Sequence, residues 1–164
     1  AQAAVGIACR VNDRWQVEGD VSFAQWSSFE KLAIDFANHT QAVTDVTLRE
    51  DWKNTFALRF GAASKWAEHN EFRVGVLYDQ NPIPDRTLRP SIPDGDRYSV
   101  TFGYGFKGKG WGLDAYYMPL FFADRNAKGD PALKPGVTAT PDGVIDGKYS
   151  SFVHLFGASF SWRF

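Results

Sequence analysis

Ten charged residues, Arg10, Glu18, Asp20, Arg49, Asp51, Lys53, Arg59, Arg73, Asp79 and Asp114, stand in segments where apolar side chains recur at every second position. In an extended chain successive side chains point to opposite faces, so this spacing gathers charge on one face and hydrocarbon on the other. Charges of both signs on a confined face neutralise one another, because isolated charge away from water is very costly. Arg10, Glu18, Asp20, Asp51, Arg59, Arg73, Asp79 and Asp114 are therefore expected to form a charge network on an enclosed face. Other chemistry finds less support. His39, His69 and His154 lie too far apart for the close ligand spacing of a zinc site. Asp124, Asp130, Asp142 and Asp146 have the hard-oxygen chemistry of a calcium site, but Pro-Asp-Gly and Ile-Asp-Gly are ordinary turn signals. No Gly-X-Ser-X-Gly elbow occurs, and Gly103-Tyr104-Gly105 sits inside a strand pattern with no helix to receive a phosphate. The sequence predicts neither an enzyme nor a resident metal or cofactor.

The elements that position these charges are strands. The chain has 164 residues, with 14 Phe, 6 Trp, 6 Tyr and 15 Gly, a mixture suited to strands with one greasy face. Eighteen basic residues nearly balance 19 acidic ones, so no basic field exists to gather nucleic acid. Cys9, the single cysteine, reads as a small packed or lipid-facing side chain. No segment approaches the roughly 18 apolar residues of a membrane helix, but barrel strands need only about 9–11 residues each.

Alternation predicts seven strands. The first, about 3–11, sets Val5, Ile7 and Cys9 against Ala4, Gly6, Ala8 and Arg10. The second starts at Trp15 and is expected to run to 36 as one kinked strand, because the apolar set slips from odd to even positions near Trp26–Phe29, as at a β-bulge. The third follows a polar stretch at 37–46 and ends near 65, placing Arg49, Asp51, Lys53 and Arg59 on its polar face. The fourth covers about 71–81, the fifth 97–107, the sixth 111–123 and the seventh 149–164. Pro82, Pro84, Pro90 and Pro93 exclude a central strand between the fourth and fifth.

Connections alternate between short, at 12–14, 66–70 and 108–110, and long, at 37–46, 82–96 and 124–148. Bacterial outer-membrane barrels have short periplasmic turns and longer outside loops, so the pattern favours an all-β antiparallel transmembrane barrel with a periplasmic carboxyl terminus. Trp15, Trp111 and Trp162 fall near the short-turn side, where an interfacial aromatic girdle belongs. Two competing readings are a soluble lipid-binding barrel and a structural or adhesive membrane barrel. The apolar loop residues Ile83, Leu88, Ile92, Leu133, Val137, Val144 and Ile145 suit a ligand groove or a partner surface.

Four stretches, Trp15 through Phe29, Asp51 through Gly61, Phe72 through Arg97 and the ending HLFGASFSWRF, together resemble the FadL type of outer-membrane transporters of long-chain fatty acids and hydrocarbons. The resemblance spans essentially 1–164 and looks like the carboxyl-terminal half of such a protein. It implies half of a fourteen-stranded barrel, with the amino-terminal plug and first strands absent. It also implies passive uptake of a hydrophobic small molecule, which enters an apolar outer groove, reaches an interior site and leaves sideways into the membrane. Implied partners are outer-membrane lipid, the hydrophobic ligand, and the missing half or a second copy to close the barrel. In fatty-acid members a basic residue near this region helps hold the carboxylate. Its position falls on Leu48 here, with Arg49 beside it, which leaves Arg49 and Lys53 as candidate ligand contacts or points to an uncharged ligand.

Overall fold

The computed structural model describes residues 1–40, 44–127 and 147–163. Terminal Phe164, Asp130, Asp142, Asp146 and the apolar loop residues from Leu133 to Ile145 lie outside the described residues. Among the described residues, eleven strands are numbered in chain order. Seven form one antiparallel meander: β1 (Gln2–Arg10), β2 (Trp15–Ala24), β5 (Thr55–Ala67), β6 (Asn70–Asp79), β7 (Arg97–Lys107), β8 (Trp111–Phe122) and β11 (Phe152–Trp162). Two hairpins stand apart from it, β3 (Lys31–Ile34) with β4 (Val46–Arg49), and β9 (Arg125–Ala127) with β10 (Gly147–Tyr149).

Register keeps the two faces of the wall separate from one edge to the other. Cys9, Val17, Ala62, Val74, Phe102, Tyr117 and Phe156 form one unbroken cross-strand row. The opposite face carries rows such as Glu18, Gly61, Gly75 and Thr101. The apolar face is fully presented, with Ile7 77% and Phe156 79% exposed. Among the described residues the buried hydrophobics are Leu48, Ala57, Ile83 and Leu88, and of these only Ala57 lies in the wall. A wall without an apolar layer packed against it needs another medium to cover that face, and for a barrel the medium is lipid.

Aromatic rings band the short-turn end of the apolar face. Trp66 lies 5.7 Å from Phe72, Phe72 5.1 Å from Tyr104, Phe106 5.1 Å from Trp111 and Phe160 6.1 Å from Trp162. Such rings, amphipathic in the case of Trp and Tyr, settle at the boundary between hydrocarbon and headgroups.

On the polar face, glycines make room for long-range ion pairs. Arg73 on β6 reaches across β7 to Asp114 on β8, with Nη1 2.8 Å from Oδ1. The bridge passes over Gly105, where a Cβ would sit 2.7 Å from the Asp114 carboxylate and 3.0 Å from the Arg73 guanidinium. Pro119 stands inside β8, between two partner strands, where it cannot donate to the ladder. Pairing with β7 accordingly skips from Ser99↔Leu120 to Phe102↔Tyr117, and the Ser99 hydroxyl donates to the Pro119 carbonyl at 2.7 Å.

Two expected boundaries are corrected. Residues 15–36 are not one bulged strand: the wall strand ends at Ala24, a 3-10 turn follows at Trp26–Ser28, and β3 pairs with β4. The parity slip records the chain leaving the wall rather than a bulge within it. For the same reason the third wall strand starts at Thr55, which removes Arg49, Asp51 and Lys53 from the wall's polar face.

Candidate functional site

The long connections fold into a cap with its own core. Leu88 is fully buried and packs with Ile83 against Trp52 and Tyr149, so three connections distant in sequence meet there. Proline-rich backbone at 82–93 cannot extend a sheet, and side-chain links anchor it instead. Arg89 Nη1 lies 2.6 Å from Glu50 Oε1, both side chains under a tenth exposed, and Arg89 Nη2 donates to the Arg49 carbonyl at 2.9 Å. Glu50 also accepts from Trp52 Nε1 at 3.0 Å, and the Thr87 hydroxyl donates to the Glu50 carbonyl at 2.8 Å. Lys53 N–H donates to the Pro82 carbonyl at 2.8 Å. Arg125 ties the third connection in by pairing with Asp85 and donating to the Asp94 carbonyl.

Beneath the cap, against the polar face of the wall, lies a cavity of about 580 Å³. Ala4, Ser22, Ala57, Arg59, Asp79 and Arg97 line its wall side, and Trp26, Trp52, Pro82, Ile83 and Ile92 its cap side. Trp26 and Trp52 meet edge to face with centroids 5.3 Å apart, and Phe29 braces Trp52 at 5.0 Å. The polar wall groups are largely paired: Arg59 with Asp20 at 2.8 Å, and Arg97 with Asp79 at 3.3 Å and Asp94 at 3.7 Å. Arg97 Nε is buried without a hydrogen-bond partner. The site thus offers a half-open pocket whose aromatic and aliphatic cap side faces a wall side of small, polar and ion-paired groups, a lining able to take a small molecule. A second, polar cavity of about 350 Å³ lies near the short turns, lined by Arg10, Arg14, Glu18, Lys65, Glu71 and Arg73 among others.

The expected charge network is thereby placed residue by residue. Asp20 with Arg59, Arg73 with Asp114, and Asp79 with Arg97 are paired on the wall, and Glu71 joins Arg73 at 2.7 Å. Arg10 and Glu18 line the lower cavity without an ion pair among the described residues. Asp51 sits in the cap with a left-handed backbone, φ 50°, where its carboxylate pairs with Arg49 and, at 3.2 Å, with Arg86. Of the ligand candidates, Leu48 is buried in the cap, Arg49 is a half-exposed partner of Asp51, and Lys53 is exposed. None of the three lines the cavity. Arg97, Trp26, Trp52 and Ile92 do, and two of them carry a signal in the sequence. Trp26 sits where the alternation breaks, and Arg97 opens a strand directly after the proline-rich stretch.

The histidines have structural surroundings. His154 Nδ1 lies 2.8 Å from the Tyr117 hydroxyl on the apolar face, and His69 neighbours the Phe106 ring. His39 pairs with Asp45 at 2.6 Å. The Phe36 amide, then His39, hold the Asp45 carboxyl below the ordinary carboxylate range, and these contacts lie at the loop end of the β3–β4 hairpin. Asp124 pairs with Lys148 at 2.8 Å. Among the described residues no cluster of three or more potential metal ligands occurs.

Comparison with known proteins agrees with this architecture. A putative outer membrane protein of Neisseria meningitidis serogroup B is 25% identical over 163 residues, covering 94% of this chain and 34% of that protein. The long-chain fatty acid transport protein of Escherichia coli K12 is 28% identical over 94 residues, covering 57% of this chain and 20% of that protein. The crystal structure of a Pseudomonas aeruginosa FadL homologue superposes with a TM-score of 0.82 at 27% identity, covering 99% of this chain and 35% of that one. The Ralstonia pickettii toluene transporter TbuX shares the fold, with a TM-score of 0.63 at 19% identity over 99% of this chain and 33% of that one. The chain spans about a third of the length of the first of these relatives. The model of the outer membrane protein transport family (OMPP1/FadL/TodX) matches residues 1–164, and the chain belongs to that family.

Proposed function

We propose that this chain forms part of a passive conduit for hydrophobic molecules, long-chain fatty acids or hydrocarbons, across a bacterial outer membrane. The observation that carries the reading is the cavity under the cap, where the Trp26–Trp52 pair and Ile83 and Ile92 face a wall of small and ion-paired side chains. Apolar enclosure supplies affinity without an energy source. In this reading the cap faces outward and the short turns and carboxyl terminus face the periplasm, which the girdle and the loop asymmetry support. β1 and β11 are the edges of the sheet, and open edges in lipid leave backbone groups unsatisfied. Further strands of the same protein close the barrel in this reading, supported by relatives about three times as long.

The test is uptake of radiolabelled oleate and of toluene by cells lacking their own transporter and expressing the full-length protein. Accumulation above the empty-vector level should persist when outer-membrane vesicles replace energised cells. Trp52→Ala should lower it roughly ten- to hundredfold, as expected for losing an aromatic anchor worth roughly 1.5–3 kcal/mol. No accumulation of either compound would sink the proposal.

Arg49 is proposed as an outer contact for an acidic headgroup, since it and Arg86 share one carboxylate, Asp51, and keep donors facing water. Arg49→Ala should weaken laurate binding roughly two- to fivefold, the scale of an exposed ionic contact. Unchanged affinity in a titration would remove Arg49 from the site.

A further inference from the structure

Arg97 opens β7 at the junction of wall and cap, and it is held less firmly than the other paired arginines of the wall. Both of its ion pairs run through one nitrogen, Nη2, which lies 3.3 Å from Asp79 Oδ2 and 3.7 Å from Asp94 Oδ2. Arg59 reaches Asp20 at 2.8 Å, and Arg73 reaches Glu71 at 2.7 Å and Asp114 at 2.8 Å. Among the described residues nothing accepts from Arg97 Nε, although that atom is buried. A buried donor without an acceptor is rare in folded proteins and costly to keep.

The carboxylates around it are fixed, so the guanidinium is the loose part. Asp79 is locked in the ladder between Ala57 and Arg97. Asp94 Oδ1 accepts from the Gly95 amide at 3.0 Å, and the Asp94 carbonyl accepts from Arg125 Nη1 at 2.9 Å. A Cβ at Gly95 would stand 2.8 Å from the Ala123 carbonyl oxygen, which leaves the backbone beside Asp94 little room to shift. Tethered at Nη2 alone, the guanidinium can pivot at the edge of the pocket that Arg97 lines. Water does not reach Nε as it stands, so its acceptor must be a group that enters the pocket.

Local charge decides what that group is. Two arginines of the lining, Arg59 and Arg97, face the carboxylates of Asp20, Asp79 and Asp94. An ionised carboxylate brought to Arg97 would sit beside Asp79 and Asp94 and be repelled by both. A plain hydrocarbon would leave Nε unpaired. An uncharged oxygen meets neither objection.

We propose that Arg97 is the polar anchor of the pocket under the cap, and that its ligand is an uncharged hydrophobic molecule carrying an acceptor oxygen, such as a ketone, an ester or a protonated carboxylic acid. The oxygen accepts from Nε once the guanidinium has turned about Nη2, and the two aspartates exclude the ionised form. Arg49 stands outside the pocket, so its contact with an ionised headgroup belongs to the approach and that of Arg97 to the bound state. A site built to donate to an oxygen rejects the analogue that lacks it. The inference rests on the uptake reading and narrows its ligand.

The experiment titrates the full-length protein in detergent with tritiated 2-dodecanone, laurate and dodecane at about pH 8, where laurate carries its charge. The ketone is expected to bind about tenfold more tightly than either of the others, the ratio set by one hydrogen bond to a charged donor. Arg97→Met should abolish the preference for ketone over alkane, and Arg97→Gln, which keeps an uncharged donor, should retain part of it. Asp94→Asn should move the laurate-to-ketone ratio several-fold toward laurate, a change that a purely structural role for Asp94 would not produce. Laurate bound as tightly as the ketone would overturn the uncharged ligand, and dodecane bound as tightly would overturn the anchor. Either result leaves the uptake reading standing. No saturable binding of any of the three would overturn both. Should the variants fail to insert, the three affinities of the unmodified protein still decide.

Discussion

Replacing Arg89 by alanine is expected to release the cap. The substitution strands Glu50 in a site where both side chains were less than a tenth exposed, and breaking a buried pair from one side costs about 3–5 kcal/mol. It also removes the donor to the Arg49 carbonyl, so the β3–β4 hairpin loses its tie to the proline-rich connection. Amide exchange at Leu88 and in 48–53 should speed up about a hundredfold or more, the rate ratio that corresponds to roughly 3 kcal/mol of local opening. The wall strands should keep their protection, because no residue of the pair belongs to the seven-stranded sheet. Pairing Arg89→Met with Glu50→Leu should restore most of the protection, since a buried ion pair replaced by hydrocarbon of similar volume is often neutral. Equal exchange rates in Arg89→Ala and the unmodified protein would show that the apolar contacts of Leu88 and Ile83 hold the cap alone.

Phe102→Arg carries the second large effect, and its sign separates lipid from water. Phe102 is at the middle of β7 on the apolar face and 53% exposed. In water, exchanging an exposed phenylalanine for arginine changes stability little. In a bilayer the same exchange near the midplane costs about 2–4 kcal/mol. Thr101→Arg, one residue away on the opposite face, should be tolerated because that face meets a hydrated interior. Unfolding titrations in phospholipid vesicles should therefore show a large loss for Phe102→Arg and a small one for Thr101→Arg. Equal losses would contradict the assignment of the two faces.

Much of the wall was legible because β structure writes itself with a period of two. β1, β6, β7 and the first half of β8 follow directly from that alternation, and the short turns fix their order. The cap was not legible in the same way. Alternation tells which side chains share a face but not which sheet a strand joins, so Leu32 and Ile34 read as a continuation of β2 when they pair with Leu48 and Val46 in a separate hairpin. Leu48 and Arg49 were singled out by resemblance, yet their neighbours depend on Arg89, forty positions on, and no local pattern announces that pairing. In β8 every residue from Tyr116 to Phe122 is apolar, so the pattern of alternation is lost over the second half of that strand. Arg97 was hidden for another reason. Its environment is made by Asp79 and Asp94, and only folding brings the three together.

The position of the buried core has a consequence in time. Its parts come from the connections at Trp52, at Ile83 and Leu88, and at Tyr149, so no pair of neighbouring strands can build it alone. Contacts of such long sequence separation form late. The hairpins of the wall close locally and first, and the cap sets only after the last strand has brought Tyr149 to its place. The expected outcome of that order is an intermediate in which the wall hairpins have formed while the proline-rich connection is still open to proteases. Resistance at the proline-rich connection becomes a clock for the end of assembly.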